Sequence, residues 1–304
     1  MKKLLTLLFC FPLLWGCTQT EPVSGTRAAA IVAEIHNPVS KKILVASHRG
    51  DWRNYPENSL PAIRSAIEMG VDIVEIDLAL TADSVLVLCH DRTIDRTTSG
   101  KGLIAEITYD SIRRVNLRAG QNAITHWKVP TFEEALLLCK DKIVVNIDKG
   151  FQYYELIHPL LEKYGMLEQV LIKSNVTADR AAATFSKYTD NCLFMPIVNF
   201  SKKPYRKILE SYERLEHPLL AYEICWSEYT PEVEACMKQV VAGGSKLWVN
   251  ALWPSLNGGL CDDAAAEGNP AEIYGKLIGM GATMIQTDRP EMLISYLRSR
   301  GLHD

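Results

Sequence analysis

The chain has 304 residues, 47% hydrophobic and 23% charged, so it can bury a large core and lies near the usual size of one α/β barrel. A formal charge of −3 and a pI near 6.2 exclude a broad basic field of the kind that steers proteins onto nucleic acid or anionic lipid, so any phosphate recognition must be local. No nucleic acid and no obligate protein partner is inferred.

The chain begins with Lys2-Lys3 and an apolar run from Leu4 to Trp15. That run is shorter than the roughly 20 apolar residues a bilayer span needs and reads as a signal peptide. It ends in Leu14-Trp15-Gly16-Cys17, which resembles the bacterial lipobox, although Trp15 is bulkier than the usual residue there. The resemblance implies a signal peptide over residues 1–16 and lipidation of Cys17. More than one acyl chain would then anchor an exported protein on the periplasmic or outer-surface side of a bacterial membrane. An ordinary secretory signal cut elsewhere is the alternative. Residues 17–42, rich in Thr, Ala, Pro and Ser, read as a tether, and residues 43–304 as one domain.

From residue 43 onward, short apolar, β-branched runs alternate with longer amphipathic stretches, a pattern that predicts a parallel sheet covered by helices. Strands are predicted at Ile43–Ser47, Ile73–Leu78, Ile143–Ile147, Val170–Lys173, Leu193–Val198, Leu219–Ile224, Leu247–Asn250 and Thr283–Gln286. Helices are predicted at Leu60–Met69, Phe132–Lys140, Phe151–Tyr164, Ala178–Tyr188, Tyr205–Leu215, Pro231–Val241 and Glu272–Met280, with a last one after Pro290. Eight such units closing on themselves make a TIM (β/α)8 barrel. The regularity fails for about forty residues between His90 and Pro130, which read as an insertion after the second strand. Long loops of this kind usually carry function. The mature chain would keep Cys89, Cys139, Cys192, Cys225, Cys236 and Cys261, none with the close spacing of a zinc or redox motif. Most sit in apolar stretches and read as buried thiols.

In Ile73-Val74-Glu75-Ile76-Asp77-Leu78 the carboxylates are two positions apart on a strand and share a face. Two such charges inside a barrel strand are costly unless they meet a cation, and hard divalent ions such as Mg2+ or Ca2+ take oxygen ligands of this kind. A salt bridge at the strand end is the plainer alternative. His48-Arg49-Gly50 follows the first strand, at the rim where barrel enzymes collect catalytic groups, and His90-Asp91 follows Val85–Cys89. Two histidines and a divalent metal suit phosphodiester cleavage. One histidine takes a proton from the attacking oxygen and the other gives one to the leaving alkoxide, while the metal and Arg49 offset phosphoryl charge. His36, His126, His158, His217 and His303 read as surface or packed residues.

His48-Arg49-Gly50, Pro56-Glu57-Asn58-Ser59, Glu75-Ile76-Asp77 and His90-Asp91 with Asp95-Arg96-Thr97-Thr98 resemble, in order and spacing, the signatures of the glycerophosphodiester phosphodiesterase family. Val129-Pro130-Thr131-Phe132-Glu133-Glu134 and Thr287-Asp288-Arg289-Pro290 extend the resemblance over residues 43–297. It implies a metal-dependent hydrolase that cleaves glycerophosphodiesters to glycerol 3-phosphate and an alcohol. His48 and His90 would be acid and base, Glu75, Asp77 and Asp148 the ligands of a divalent cation, and Arg49 a phosphate-binding group, while Glu57 would hold metal or order the site. In the implied mechanism the glycerol 2-hydroxyl attacks phosphorus and water then opens the cyclic phosphate.

Two departures from the family pattern stand out. Asn146-Ile147-Asp148-Lys149-Gly150 replaces the more usual Glu-x-Lys, and strand alternation points Lys149 away from the site if Asp148 points in. Lys173 is then the favoured phosphate-binding lysine, with an inward bend of Lys149 through Gly150 as the alternative. The segment Trp248–Trp253, followed by Gly258-Gly259 and Asp262-Asp263, resembles a branch of the family with less certain substrates. Trp248, Asn250 and Trp253 are candidates to line the pocket, with core packing as the plain reading of the tryptophans. The competing functions are a phosphodiesterase for glycerophosphoinositol or intact phospholipids, and a lipoprotein that binds phosphorylated ligands without turnover.

Overall fold

A computed structural model describes residues 25–304. The signal peptide, Cys17 and the start of the tether lie outside the described residues. Among the described residues no helix is long and apolar enough to cross a membrane.

The strands are β1 (Leu44–Ser47), β2 (Ile73–Leu80), β3 (Leu86–Leu88), β4 (Val144–Asp148), β5 (Val170–Ser174), β6 (Leu193–Asn199), β7 (Ala221–Cys225), β8 (Lys246–Asn250) and β9 (Met284–Thr287). The helices are α1 (Arg27–His36), α2 (Leu60–Met69), α3 (Tyr109–Ile112), α4 (Phe132–Cys139), α5 (Tyr154–Tyr164), α6 (Ala178–Phe185), α7 (Tyr205–Glu213), α8 (Pro231–Ala242), α9 (Asp262–Glu267), α10 (Pro270–Gly279) and α11 (Pro290–Ser299). All strands except β3 pair in parallel, and β1 pairs with both β2 and β9, so the sheet closes as an eight-stranded barrel. Local sequence sets the helix ends. Thr131 and Glu134 form a capping box at α4, and Gly70 ends α2 in the left-handed conformation.

β3 pairs antiparallel with the far end of β2 and opens the insertion, which has its own small core of Val87, Cys89, Ile94, Ile104, Ile112, Leu117 and Val129. The six cysteines Cys89, Cys139, Cys192, Cys225, Cys236 and Cys261 are all buried and free.

Inside the barrel the period-two alternation of the strands builds tiers. Leu44, Ile73, Val144, Leu171, Ala221, Trp248 and Met284 form an apolar floor. Two residues further along most of these strands stand Glu75, Asn146, Lys173, Glu223, Asn250 and Gln286, all buried. Lys173 Nζ lies 3.2 Å from Glu223 Oε2 and 3.2 Å from Gln286 Oε1, and Asn250 Nδ2 donates to Glu223 Oε1 at 2.8 Å. His48, Asp77, Asp148 and Asp288 occupy the next tier, at the mouth.

The tether does not extend to residue 42, because Arg27–His36 is a helix that packs beneath the barrel floor. Ala28, Ile31 and Ile35 recur at helical spacing and are buried, a stripe hidden in a stretch whose overall composition resembles a linker. Arg27 ties the helix to the carbonyls of Gly70 and Lys142 at 2.8 and 2.9 Å. Ile35→Ala is expected to cost about 2–4 kcal/mol in urea unfolding, because it opens a cavity in the buried apolar cluster that Ile35 shares with the barrel floor. Val39→Ala, at an exposed position just past the helix, should leave the midpoint unchanged.

Candidate active site

The turn after β1 brings the first functional groups to the mouth. Arg49 and Gly50 have φ of 55° and 75°, and a Cβ on Gly50 would stand 2.8 Å from the Ala62 carbonyl carbon, so only glycine fits there. The turn points the Arg49 amide at Glu75 Oε2, 2.9 Å away. Arg49 Nη1 donates to Glu57 Oε1 at 2.9 Å, and its Nε is buried without a hydrogen-bond partner, 3.4 Å from Asp77 Oδ2. A buried donor left short of a hydrogen bond beside a carboxylate is costly, which marks this position as one built for more than packing.

Glu75, Asp77 and Asp148 each bring a carboxylate oxygen within 4.8 Å of the other two. β2 and β4 pair in register with Asp77 opposite Asp148, which sets these two carboxylates side by side. Burial first, then the charge of Asp77, pushes Glu75 well above its usual range. Burial also pushes Asp77 up, but the charges of Arg49 and Lys149 and a hydrogen bond from Asn58 outweigh it and leave Asp77 below its usual range. Three hard oxygen ligands in such a setting suit a divalent cation, which would offset the negative charge that burial penalises.

Lys149 corrects the alternation argument. Its φ of 60° breaks the extended geometry one residue before Gly150, and the ammonium swings inward to 3.2 Å from Asp77 Oδ1 and 2.5 Å from the His90 carbonyl. Lys173 is the residue that misses the rim. It is 5% exposed, its Nζ is held by Glu223 and Gln286 above the Trp248 ring, and it underlies the acidic cluster rather than standing beside Arg49. Trp248 and Asn250 likewise pack inside the closed barrel, where Trp248 Nε1 donates to Asn250 Oδ1 at 3.1 Å, and they do not line an open pocket. Trp253 does reach the mouth, where it is half exposed with its ring edgewise to His48 at 5.8 Å.

Glu57 stands against two arginines and outside the acidic cluster. It accepts from Arg49 and bidentately from Arg96 at 2.5 and 2.8 Å. Arg96 also holds Asp91, whose Oδ1 lies 2.7 Å from His90 Nδ1. A matching carboxylate supports the other histidine, with Asp288 Oδ1 2.7 Å from His48 Nδ1 and 2.6 Å from Trp52 Nε1. Each imidazole therefore has one nitrogen tied to a carboxylate and the other available for proton transfer. Asp288, Trp52 and Asn58 are functional groups to which the sequence reading assigned no role. Asn58 and Asp288 lay inside quoted motifs, but only the structure shows Asn58 clamping Asp77 through both its amide and its carboxylate.

Residues 48–195 match the model of the glycerophosphoryl diester phosphodiesterase family. That span, just under half of the chain, resembles a domain of that family. The matched span holds both histidines, Arg49, Lys149 and the whole acidic cluster. Residues 194–297 match a second model, described as a domain of unknown function, so the family match proper ends at the start of β6. A glycerophosphodiester phosphodiesterase from Caldanaerobacter subterraneus is 37% identical over 142 residues, which is 44% of this chain and 58% of that enzyme. The chain thus spans little more than half the length of that relative. A crystal structure of a glycerophosphoryl diester phosphodiesterase from Parabacteroides distasonis superposes with a TM-score of 0.73 at 25% identity, covering 90% of this chain and 92% of that one. An Oleispira antarctica phosphodiesterase in complex with sn-glycerol-3-phosphate shares the fold, with a TM-score of 0.64 at 21% identity over 84% of this chain and 97% of its own.

The raised Glu75 has a consequence that differs with and without a divalent cation. Without one, folding keeps a proton on Glu75, so its contribution to stability falls as pH rises from its ordinary value of 4.5 toward its higher folded value. A cation held by Glu75, Asp77 and Asp148 would keep Glu75 ionised and remove that loss. Millimolar Ca2+ or Mg2+ is therefore expected to raise Tm by on the order of 5 °C at pH 8, and by clearly less at pH 5.5 where protons compete. Thermal melts at the two pH values check this, and Asp77→Asn should abolish the cation-dependent shift.

Proposed function

We propose that the protein hydrolyses glycerophosphodiesters to glycerol 3-phosphate and an alcohol in a reaction that requires a divalent cation, Ca2+ or Mg2+. The observation that carries this reading is the convergence, at the C-terminal mouth of one barrel, of the acidic cluster, an arginine set between Glu57 and Asp77 and two carboxylate-supported histidines. Glu75, Asp77 and Asp148 would hold the cation, which when bound offsets charge on the phosphoryl oxygens.

This chain's own residues supply the remaining chemistry. Arg49 Nε and the Lys149 ammonium orient the phosphate and offset its charge. One imidazole, His48 or His90, removes the proton from the glycerol 2-hydroxyl as that oxygen attacks phosphorus, and the other protonates the departing alkoxide. The cyclic phosphate that results is opened by water with the proton roles reversed. Glu57 locks Arg49 and Arg96 together, and Trp253 packs beside His48 at the mouth.

An assay against glycerophosphocholine, glycerophosphoethanolamine, glycerophosphoglycerol and glycerophosphoinositol, with phosphatidyl substrates alongside, tests the substrate class. His48→Ala and His90→Ala should each lower kcat about 10²–10⁴-fold while the cation-dependent Tm shift survives. Lys149→Met should lower kcat/KM strongly, while Lys173→Met should act mainly through stability. The reverse pattern would return the phosphate-binding role to Lys173.

We further propose that Cys17 is lipidated and holds the exported enzyme at a bacterial membrane. The support is the Lys2-Lys3 pair, the short apolar run and the Leu14-Trp15-Gly16-Cys17 sequence. Cys17→Ser should move the protein to the soluble fraction or block its maturation, and unchanged fractionation and processing would count against the anchor.

A further inference from the structure

Asp262-Asp263 stands out in the sequence yet has no part in the reaction proposed above. Asp262 opens α9, beyond the span that matches the phosphodiesterase family, and it is fully buried. Its carboxylate accepts three hydrogen bonds, from the Asp288 amide at 2.6 Å, the Thr287 hydroxyl at 2.7 Å and the Tyr274 hydroxyl at 2.8 Å. Burial pushes Asp262 up to about 7 against the pull of those donors, so the position is costly to maintain. The backbone secures it further, since the Asp262 amide donates to the Ala251 carbonyl and the Ala251 amide to the Gln286 carbonyl.

The exposed neighbour works on the other side of the same peptide. Asp263 holds Arg53 at 3.1 Å, and Arg53 Nε donates to the Asp288 carbonyl at 3.0 Å. Residue 288 is thus gripped at its amide by Asp262 and at its carbonyl by the Arg53–Asp263 pair. Its side chain faces His48 Nδ1. Burial raises Asp288, but the hydrogen bond and charge of His48 and the bond from Trp52 prevail and hold it below its usual range. An ionised carboxylate accepts only, so the nitrogen facing it must carry the proton.

We propose that Asp262 is a positioning residue for the reaction: it fixes the Asp288 backbone so that the Asp288 carboxylate keeps His48 in the Nδ1-protonated tautomer, leaving Nε2 as the nitrogen that exchanges protons with substrate. This rests on the assignment of His48 to acid–base work. It goes beyond that assignment by giving a positioning duty to the second half of the chain, where both Asp262 and Asp288 lie. Asn in place of Asp262 can still accept from the Asp288 amide while its own NH2 donates to the Thr287 and Tyr274 hydroxyls, whereas Ala removes all three bonds.

The test pairs ¹H–¹⁵N spectra of ¹⁵N-histidine-labelled full chain with steady-state kinetics. The His48 signals are assigned by their loss in His48→Gln. Wild type should show Nδ1 protonated. In Asp262→Ala the tautomers should mix and kcat should fall about 10–100-fold with KM within about 3-fold, the range typical of losing a group that orients a functional side chain. Asp262→Asn should keep the tautomer and recover kcat to within about 3-fold of wild type. A role confined to stability would lower Tm and leave tautomer and kcat alone, and that outcome overturns the proposal. Should Asp262→Ala fail to fold, a wild-type His48 protonated on Nε2 overturns it equally, as does an Asp262→Asn variant as impaired as His48→Ala. If wild type hydrolyses no glycerophosphodiester, the proposed function fails by itself, and the tautomer of wild type and Asp262→Asn still decides the positioning role.

Discussion

Three carboxylates meeting at the mouth of a barrel are the constraint around which the rest of the site is arranged. Like charges within 4.8 Å of one another in a dry setting are mutually destabilising. The neighbouring cations are therefore best understood as the groups that make this arrangement tenable. Arg49 and Lys149 both approach Asp77, the Asn58 amide occupies its second oxygen, and the Arg49 backbone amide covers one oxygen of Glu75. Lys173 supplies positive charge from below, and its own charged form is favoured by Glu223, Asp148 and Glu75 despite complete burial. A divalent ion would complete a balance that these groups reach only in part, since burial and the charge of Asp77 still push Glu75 well above its usual range.

The tiers inside the barrel show how a packed core gives way to chemistry within a few residues. The apolar floor, closed from beneath by α1, excludes water from the polar tier above it. In that dry layer Lys173 lies against Glu223 and Gln286, and Asn250 donates to Glu223, while Glu223 Oε2 and Asn146 Oδ1 keep no hydrogen bond, so the network is only partly satisfied and therefore costly. Above it lies the mouth, where His48, Asp77, Asp148 and Asp288 stand. The gradient follows from strand alternation alone, because every second residue points inward and each successive inward residue lies about 7 Å closer to the rim.

Charge-supported histidines appear twice, with different engineering. His90 leans on Asp91, its neighbour in sequence, and that carboxylate is held by the half-exposed Arg96. His48 leans on Asp288, which is 240 residues away and whose amide is held by the buried Asp262. The first arrangement depends on a local turn, and the second depends on closure of the whole barrel. The two halves of the candidate site therefore call on different parts of the fold for their precision.

The sequence by itself determined the barrel, its eight strand positions to within a few residues, the insertion, and the carboxylates, histidines and arginine that converge. Those features are local: alternation, helical periodicity, caps and short motifs express themselves wherever the chain goes. Three outcomes belonged to the tertiary structure. Lys149 turned inward because its own backbone adopted a left-handed φ, which alternation assumes away. Lys173 and Trp248 stayed inside because Glu223 and Gln286, on strands far along the chain, closed over the position. The helix at residues 27–36 became part of the barrel because Ile31 and Ile35 found an apolar floor that exists only once the strands have closed. Contacts across the barrel depend on closure and register, and no window of sequence contains both partners.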